Sequence, residues 1–368
     1  MAGIYVHIPF CKQKCTYCDF ASYPREIGKA DIYFACLYQE MKGKAILTDK
    51  ITFDTIYFGG GTPSFVDPKY ILGAVRRLRE RYKISENAEI TLEVNPGTID
   101  EEKLKVYKEC GFNRFSVGLQ SADDEMLKKL NRIHTKEDFL RAAQLLKGFN
   151  LSVDVMIGLE NQKENNVKDS IDLAVEGGAK HISMYALTPE EGTPMYGNYL
   201  NGDLPSEDEV ADLYDYGRNY LKSLGFMRYE VSNFAIPGYE SRHNINYWRR
   251  GQYIGLGVAA SSFIGERRFT NTEKIDEYVH CILNNKTAEV FSEEIDFAGQ
   301  KEEYVMLALR TVAGINLEDY KKTFGTDFTQ DYADKLNRQR KYLDITENSI
   351  AIKDEFLFVQ NSIISEII

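Results

Sequence analysis

The first half of the chain alternates short apolar runs with longer stretches of helical spacing. Six runs read as strands: Ile4 to Ile8, Thr55 to Phe58, Glu89 to Val94, Arg114 to Leu119, Leu151 to Ile157 and His181 to Leu187. The stretches between them carry helix signals. Asp67-Pro68 reads as an N-cap with proline in the first helical position. Asp100-Glu101-Glu102 places acids in a first turn, and Gly111 after Cys110 reads as a C-cap. Six β–α units in a row predict an α/β fold with a parallel sheet, curved or closed, and helices outside. A complete eightfold barrel needs two more regular units, and the later sequence does not supply them.

After Leu187 the alternation breaks. Pro189-Glu190-Glu191-Gly192-Thr193-Pro194 marks an excursion over the mouth of the sheet, and a polar, aromatic-rich helix follows from about Ser206 to Leu224. Arg228 to Phe234 alternates like a half-buried strand. From about Phe291 the character changes again. Gln300 to Thr311 is amphipathic, with Tyr304, Leu307 and Ala308 sharing a face with Thr311, and Val305 and Leu309 flanking it. Short helical runs, Leu317 to Phe324 and Asp327 to Leu336, precede two strands about a turn, Leu343 to Ile352. Helices followed by a hairpin predict a small winged-helix-like domain. The expected units are 1–235, 236–290 as an extension, and 291–368.

Composition narrows the class. The chain has 368 residues, 43% hydrophobic and 27% charged, which allows a large core plus a smaller domain. The net charge of −11 argues against a nucleic acid as main partner and against a polybasic membrane anchor. No apolar run is long enough to insert stably in a membrane. The chain enters a strand within four residues, so no signal peptide is expected. Six cysteines in a chain this long are not a secreted disulfide framework, which points to a reducing cytoplasm. Cys36, Cys110 and Cys281 read as packing residues.

The remaining cysteines carry the chemistry. Cys11, Cys15 and Cys18 follow the first strand with spacing C-x3-C-x2-C. A loop this tight can aim three thiolates at one point, and soft thiolates select iron–sulfur clusters, zinc or Cu(I). A closed zinc site needs a fourth protein ligand, but Asp19 and Phe20 follow the third cysteine. A cubane held by three cysteines leaves one iron open.

Other features sit at strand ends, where a barrel of this kind places its active site. Gly59-Gly60-Gly61-Thr62-Pro63 is either a plain βα turn or a place where backbone approaches a ligand. Glu93, in a strand expected to be nearly all apolar, either pairs with a cation or faces a ligand. Gln120 reads as a cap or a ligand contact, and Arg132 as surface charge. Asp154 is an acid inside the apolar run Val153 to Leu159. Arg242-His243-Asn244-Ile245-Asn246-Tyr247-Trp248 holds the only tryptophan beside an imidazole. A lone histidine of this kind is usually packed or exposed rather than a ligand. His7 and His181 read as core residues, His134 and His280 as exposed. Gly255 to Ser262 lacks the βαβ context of a dinucleotide site.

Tyr5-Val6-His7-Ile8-Pro9-Phe10-Cys11, the three-cysteine spacing and Cys18-Asp19-Phe20 together resemble the radical S-adenosylmethionine (SAM) superfamily. Within it they resemble the branch that holds oxygen-independent coproporphyrinogen III dehydrogenases and the heme chaperones related to them. The resemblance implies an open partial (β/α)6 barrel. It also implies a 4Fe–4S cluster on Cys11, Cys15 and Cys18, with SAM chelating the open iron. The implied SAM contacts are Tyr5, Tyr17, Gly60, Gly61, Thr62, Glu93, Gln120, Arg132, Asp154 and Ala186. Asn131 stands where the family usually has glycine before the arginine, and asparagine also tolerates left-handed geometry. Glu160 replaces the proline that usually closes the strand of Asp154. Three features favour a chaperone over a dehydrogenase. Phe20 replaces a fourth cysteine, Met1 lies three residues from the first strand, and H-N-x-x-Y-W resembles the chaperone signature. On that reading heme is a ligand with His243 as an axial candidate, a heme-acceptor protein and an electron-donor protein are partners, and decarboxylation of coproporphyrinogen is the alternative activity.

Overall fold

The computed structural model describes residues 1–368. Six strands lie side by side and parallel in chain order: β1 (Ala2–Ile8), β2 (Thr52–Gly60), β3 (Lys83–Val94), β4 (Arg114–Gln120), β5 (Asn150–Ile157) and β6 (His181–Ala186). At least one helix follows each strand, so every crossover lays an amphipathic helix on the outside of the sheet. The expected local chemistry is present. Asp67 caps the helix Pro68–Arg81 by accepting from Lys69 N at 2.9 Å. Asp100 caps Glu101–Cys110 by accepting from Lys103 N at 2.8 Å, and Gly111 ends that helix at φ 85°.

Beyond β6 the hairpin β7 (Met227–Arg228) and β8 (Asn233–Ala235) closes one edge of the sheet, with β8 antiparallel to β6. The single strand expected over Arg228–Phe234 is therefore split. Tyr229 to Ser232 forms the turn, and Glu230 bridges to Thr311 instead. At the other edge β9 (Gln252–Leu256) runs parallel to β1. It continues into the antiparallel strands β10 (Ser261–Ile264), β11 (Arg267–Asn271) and β12 (Glu289–Glu294). All twelve strands form one open sheet. Residues 236–290 extend the same sheet, and their Ile254, Leu256, Phe269 and Tyr278 share the buried core of the barrel.

A second core belongs to the C-terminal domain. It packs Val305, Leu309, Tyr320, Phe328, Ile350 and Leu357 around the antiparallel sheet of β13 (Ile315–Asn316), β14 (Leu343–Ile345) and β15 (Ser349–Ile352), with β15 central. The helix Phe297–Ala308 buries Val305 and Ala308, and Leu309 just beyond it, while Tyr304 and Leu307 are only half-buried. Its core face is rotated towards the residues that the pattern had placed at the flank. The run Asp327–Leu336 breaks at Tyr332 into two short helices. Backbone bonds tie this domain to the barrel, Val231 N to Arg310 O at 3.2 Å and Val312 N to Tyr229 O at 3.0 Å. Arg218 and Arg228 both pair with Asp354. No helix is long and apolar enough to cross a membrane.

Two side chains differ from expectation. His134 is buried rather than exposed, with Nε2 3.2 Å from the carbonyl of Leu119. Cys281 is only half-buried, while Cys36 and Cys110 are buried as packing residues.

Candidate functional site

The loop that follows β1 is held on both sides of the barrel mouth. Tyr23 N donates to Pro9 O at 2.7 Å and Thr16 N to Leu130 O at 3.1 Å, while Met195 N donates back to Thr16 O at 3.0 Å. These bonds aim Cys11, Cys15 and Cys18 into one cavity of about 430 Å³ at the C-terminal ends of the strands, within the range of small-molecule sites. Each sulfur has a polar neighbour of its own. The Thr62 hydroxyl donates to Cys11 Sγ at 3.5 Å, Arg132 Nη1 to Cys15 Sγ at 3.5 Å, and the Ser22 hydroxyl lies 3.8 Å from Cys18 Sγ. Such contacts to thiolate sulfur tune cluster potential. No three His, Cys, Asp or Glu side chains in the chain gather tightly enough to hold a single metal ion.

Opposite the loop, β2 ends in the glycine run, where two glycines are needed for different reasons. Gly60 has φ 112°, and a Cβ there would lie 2.6 Å from the His7 ring. A Cβ on Gly61 would lie 2.9 Å from Phe10 O and 3.0 Å from Cys11 Sγ. The close approach of this turn to the cysteine loop is set by Gly61 N to Ile8 O and Thr62 N to Phe10 O, both 2.8 Å.

Two carboxylates face the cavity, Glu93 from β3 and Asp154 from β5, with β4 between them. Glu93 accepts from the Tyr57 hydroxyl at 2.8 Å and from Gly60 N at 3.1 Å. Burial, reinforced by the Asp154 charge, pushes its pKa up to about 7 despite those bonds. Asp154 accepts from Ser116 at 3.4 Å, and burial raises its pKa to about 6. Two acids held this way suit a cationic group. Arg132 supplies the opposite charge: Nη2 donates to Gly118 O at 2.7 Å, Nη1 lies 3.5 Å from the Tyr17 hydroxyl, and Nε has no partner within the protein. Asn131 has φ 57° and Gln120 φ 69°. The left-handed turn before Arg132 is thus made by asparagine, as its side chain permits.

The cavity brings together Cys11, Cys15, Cys18, Tyr17, Gly60, Gly61, Thr62, Glu93, Gln120, Arg132, Asp154 and Ala186. Tyr5 and His243 are not among its lining residues. The Tyr5 hydroxyl instead meets His7 Nδ1 at 3.0 Å. His243 corrects the expectation of an available axial ligand. It is 1% exposed, stacks on Tyr57, and has Nδ1 2.7 Å from Thr55 Oγ1 and Nε2 2.8 Å from the Tyr247 hydroxyl. Both ring nitrogens are engaged inside the protein. The helix Arg242–Trp248 plugs the lower end of the barrel and turns Asn244 and the preceding Ser241 towards the cavity. Sequence reasoning missed Tyr57, Arg114, Tyr185 and the serines of β4 to β6. Their signal was polar residues at alternate positions in strands covered on both faces.

The fold and the cavity define a partial α/β barrel with a three-thiol cluster loop at its C-terminal mouth. The family model described as the Radical SAM superfamily matches residues 5–174, and the HemN C-terminal domain model matches residues 300–355. A protein named heme chaperone HemW from Bacillus subtilis is 34% identical over 333 residues, 88% of this chain and 87% of its own length. Its namesake from Escherichia coli is 37% identical over 263 residues, 70% and 69% of the two chains. The structure of E. coli coproporphyrinogen III oxidase HemN, described as a radical SAM enzyme, superposes with a TM-score of 0.87 at 22% identity, covering 100% of this chain and 89% of that one. At that identity the likeness speaks for the fold. The chain belongs to the HemW family of radical SAM proteins.

Proposed function

We propose that this protein is a heme chaperone: it carries a 4Fe–4S cluster on Cys11, Cys15 and Cys18, binds SAM and heme, and passes heme to an acceptor protein. The observation that carries this is similarity along 88% of the chain to a relative named for that role. The site supports it in detail. Gly60, Gly61 and Thr62 offer a close backbone approach, Glu93 and Asp154 suit the cationic part of SAM, and Arg132 suits its carboxylate. Gln120 and Ala186, at the ends of β4 and β6, suit the adenosine. When bound, the cluster and SAM together supply one-electron chemistry fed by an electron-donor protein. The chain's own residues bind, orient and shield them. Six free thiols suit a reducing cytoplasm, and a net charge of −11 does not favour nucleic acid.

The test is one anaerobic experiment with two arms. Reconstituted protein is titrated with heme, and in parallel is given coproporphyrinogen, SAM and reductant. Heme binding without decarboxylation is expected. Sustained turnover of coproporphyrinogen would replace the chaperone reading with the dehydrogenase one. A colourless protein that retains zinc would refute the cluster.

A further inference from the structure

The lower half of the barrel lumen is built unlike a packed barrel core, where branched apolar residues fill each layer. The inward residues there are Thr91 on β3, Arg114 on β4, Ser152 on β5 and His181 on β6. Register places Thr91 beside Arg114 and Ser152 beside His181, and Thr91 and Ser152 lie one inward position below Glu93 and Asp154 on their own strands. All four line the same cavity as the cysteines, and none is more than 2% exposed. Each has a polar atom without a partner in the protein: Thr91 Oγ1, Arg114 Nη2, Ser152 Oγ and His181 Nδ1. Buried polar atoms are almost always paired, so four orphans lining one cavity need an explanation.

These atoms share a polarity. Arg114 Nη1 is occupied, donating to Tyr239 O at 2.9 Å and lying 3.5 Å from Glu89. Nη2 is left as a donor. His181 Nε2 lies 2.7 Å from the Tyr229 hydroxyl, which itself accepts from Ser241 N at 3.2 Å. The Tyr229 proton has no other acceptor, so it goes to Nε2, and the imidazole carries its own proton on Nδ1. A neutral ring agrees with burial and the nearby Arg114 charge, which hold its pKa well below the usual value. The group thus presents two obligate donors, Arg114 Nη2 and His181 Nδ1–H, and two hydroxyls free to rotate into donor geometry. The complement of four donors is an acceptor-only group, and the ionised carboxylate is the common one.

We propose that this group is a carboxylate subsite, in which Arg114, His181, Thr91 and Ser152 hold a propionate arm of the bound tetrapyrrole. The assignment of the arm to heme rests on the chaperone reading; the carboxylate chemistry does not. The subsite lies beside and below Glu93 and Asp154 and does not use the cysteines.

The test exploits the orphaned hydroxyls. Because neither Thr91 Oγ1 nor Ser152 Oγ bonds anything in the protein, Thr91→Val and Ser152→Ala should leave the thermal midpoint of the full chain unchanged or raised. Heme and its dimethyl ester are titrated anaerobically into the cluster-loaded protein, and sodium propionate is scored by thermal shift. Heme should bind about tenfold or more tightly than the diester. Each variant should weaken heme about 3- to 10-fold and leave the diester unaffected, as expected for one hydrogen bond to a charged group. Equal binding of heme and diester to the unaltered protein overturns the proposal. If propionate then still raises the midpoint in a Thr91- and Ser152-dependent way, the subsite takes a free small carboxylate instead. If heme fails to bind at all, the chaperone reading falls and takes the arm assignment with it, while the propionate shift still reports on the subsite.

Discussion

Glu93 offers the sharpest test of the fit to a cationic group. Its pKa rises from 4.5 to about 7 on folding, chiefly through burial. The sign follows from linkage. The folded state disfavours the charged form, so the cost is absent below the unfolded pKa, grows as pH rises from about 4.5 to 7, and is constant above. At about 1.4 kcal/mol per pH unit the full cost is about 3 kcal/mol. Glu93 keeps some contact with the cavity, so about 2 kcal/mol is the better figure. Glu93→Gln removes that cost but loses one of two acceptors, worth about 1 kcal/mol. Without SAM, the variant should therefore be more stable than the unaltered protein at pH 8, by about 1 kcal/mol, with the advantage vanishing or reversing near pH 5. Binding should move the opposite way. An ionised Glu93 facing an ammonium group makes SAM affinity fall as pH drops below 7, by up to about tenfold per unit. Glu93→Gln should weaken SAM by about 10- to 100-fold and flatten that dependence. The assay is thermal unfolding of the cluster-free protein from pH 5 to 8.5, beside anaerobic SAM titrations of the reconstituted protein from pH 6 to 8. A variant less stable at pH 8, combined with pH-independent SAM affinity in the unaltered protein, would refute the reasoning.

Other outcomes follow from the same geometry. Cys15→Ala should reduce iron from about four per chain to near none, with secondary structure by circular dichroism unchanged. Gly61→Ala places a methyl 2.9 Å from Phe10 O and 3.0 Å from Cys11 Sγ; it should push the cysteine loop away, lower cluster occupancy, speed cluster loss in air and lower the thermal midpoint of the apoprotein. His243→Ala should leave the heme spectrum and affinity unchanged, yet cost about 2–4 kcal/mol of stability, because it orphans Thr55 and Tyr247 in a buried site. A changed Soret band in that variant would restore His243 as a ligand.

What the sequence disclosed depended on how local each signal was. The six parallel strands, the caps at Asp67 and Asp100 and the left-handed Asn131 were all legible, because period, cap chemistry and turn preference act within a few residues. The cysteine loop was legible for the same reason. Segment 252–256 was not recognisable as a seventh parallel strand. Pairing β9 with β1 joins residues about 250 apart in the chain, and no local pattern encodes that neighbour. The rotation of the helix Phe297–Ala308 has a similar cause: which of two adjacent apolar faces is buried depends on the sheet it meets.

His243 and Arg114 show the limit most clearly, and in opposite directions. A histidine flanked by aromatic residues invites assignment as a ligand. Whether its ring nitrogens are free depends on Thr55 and Tyr247, one nearly 190 residues away and one a single helical turn away. The fold uses both, and the motif becomes the plug of the barrel. Arg114 attracted no attention because an arginine at the start of a strand is ordinarily exposed. Here it is 2% exposed and only partly paired. The guanidinium is held by Tyr239 O and Glu89, and Nη2 is left as a donor facing the lumen. The alternation Thr91, Glu93, Asn95 carries the same message in weaker form: polar residues facing inward along a strand covered on both sides describe a lumen built around a guest. The plug below and the polar residues above it leave donors such as Arg114 Nη2 facing the lumen, while both ring nitrogens of His243 are engaged inside the protein.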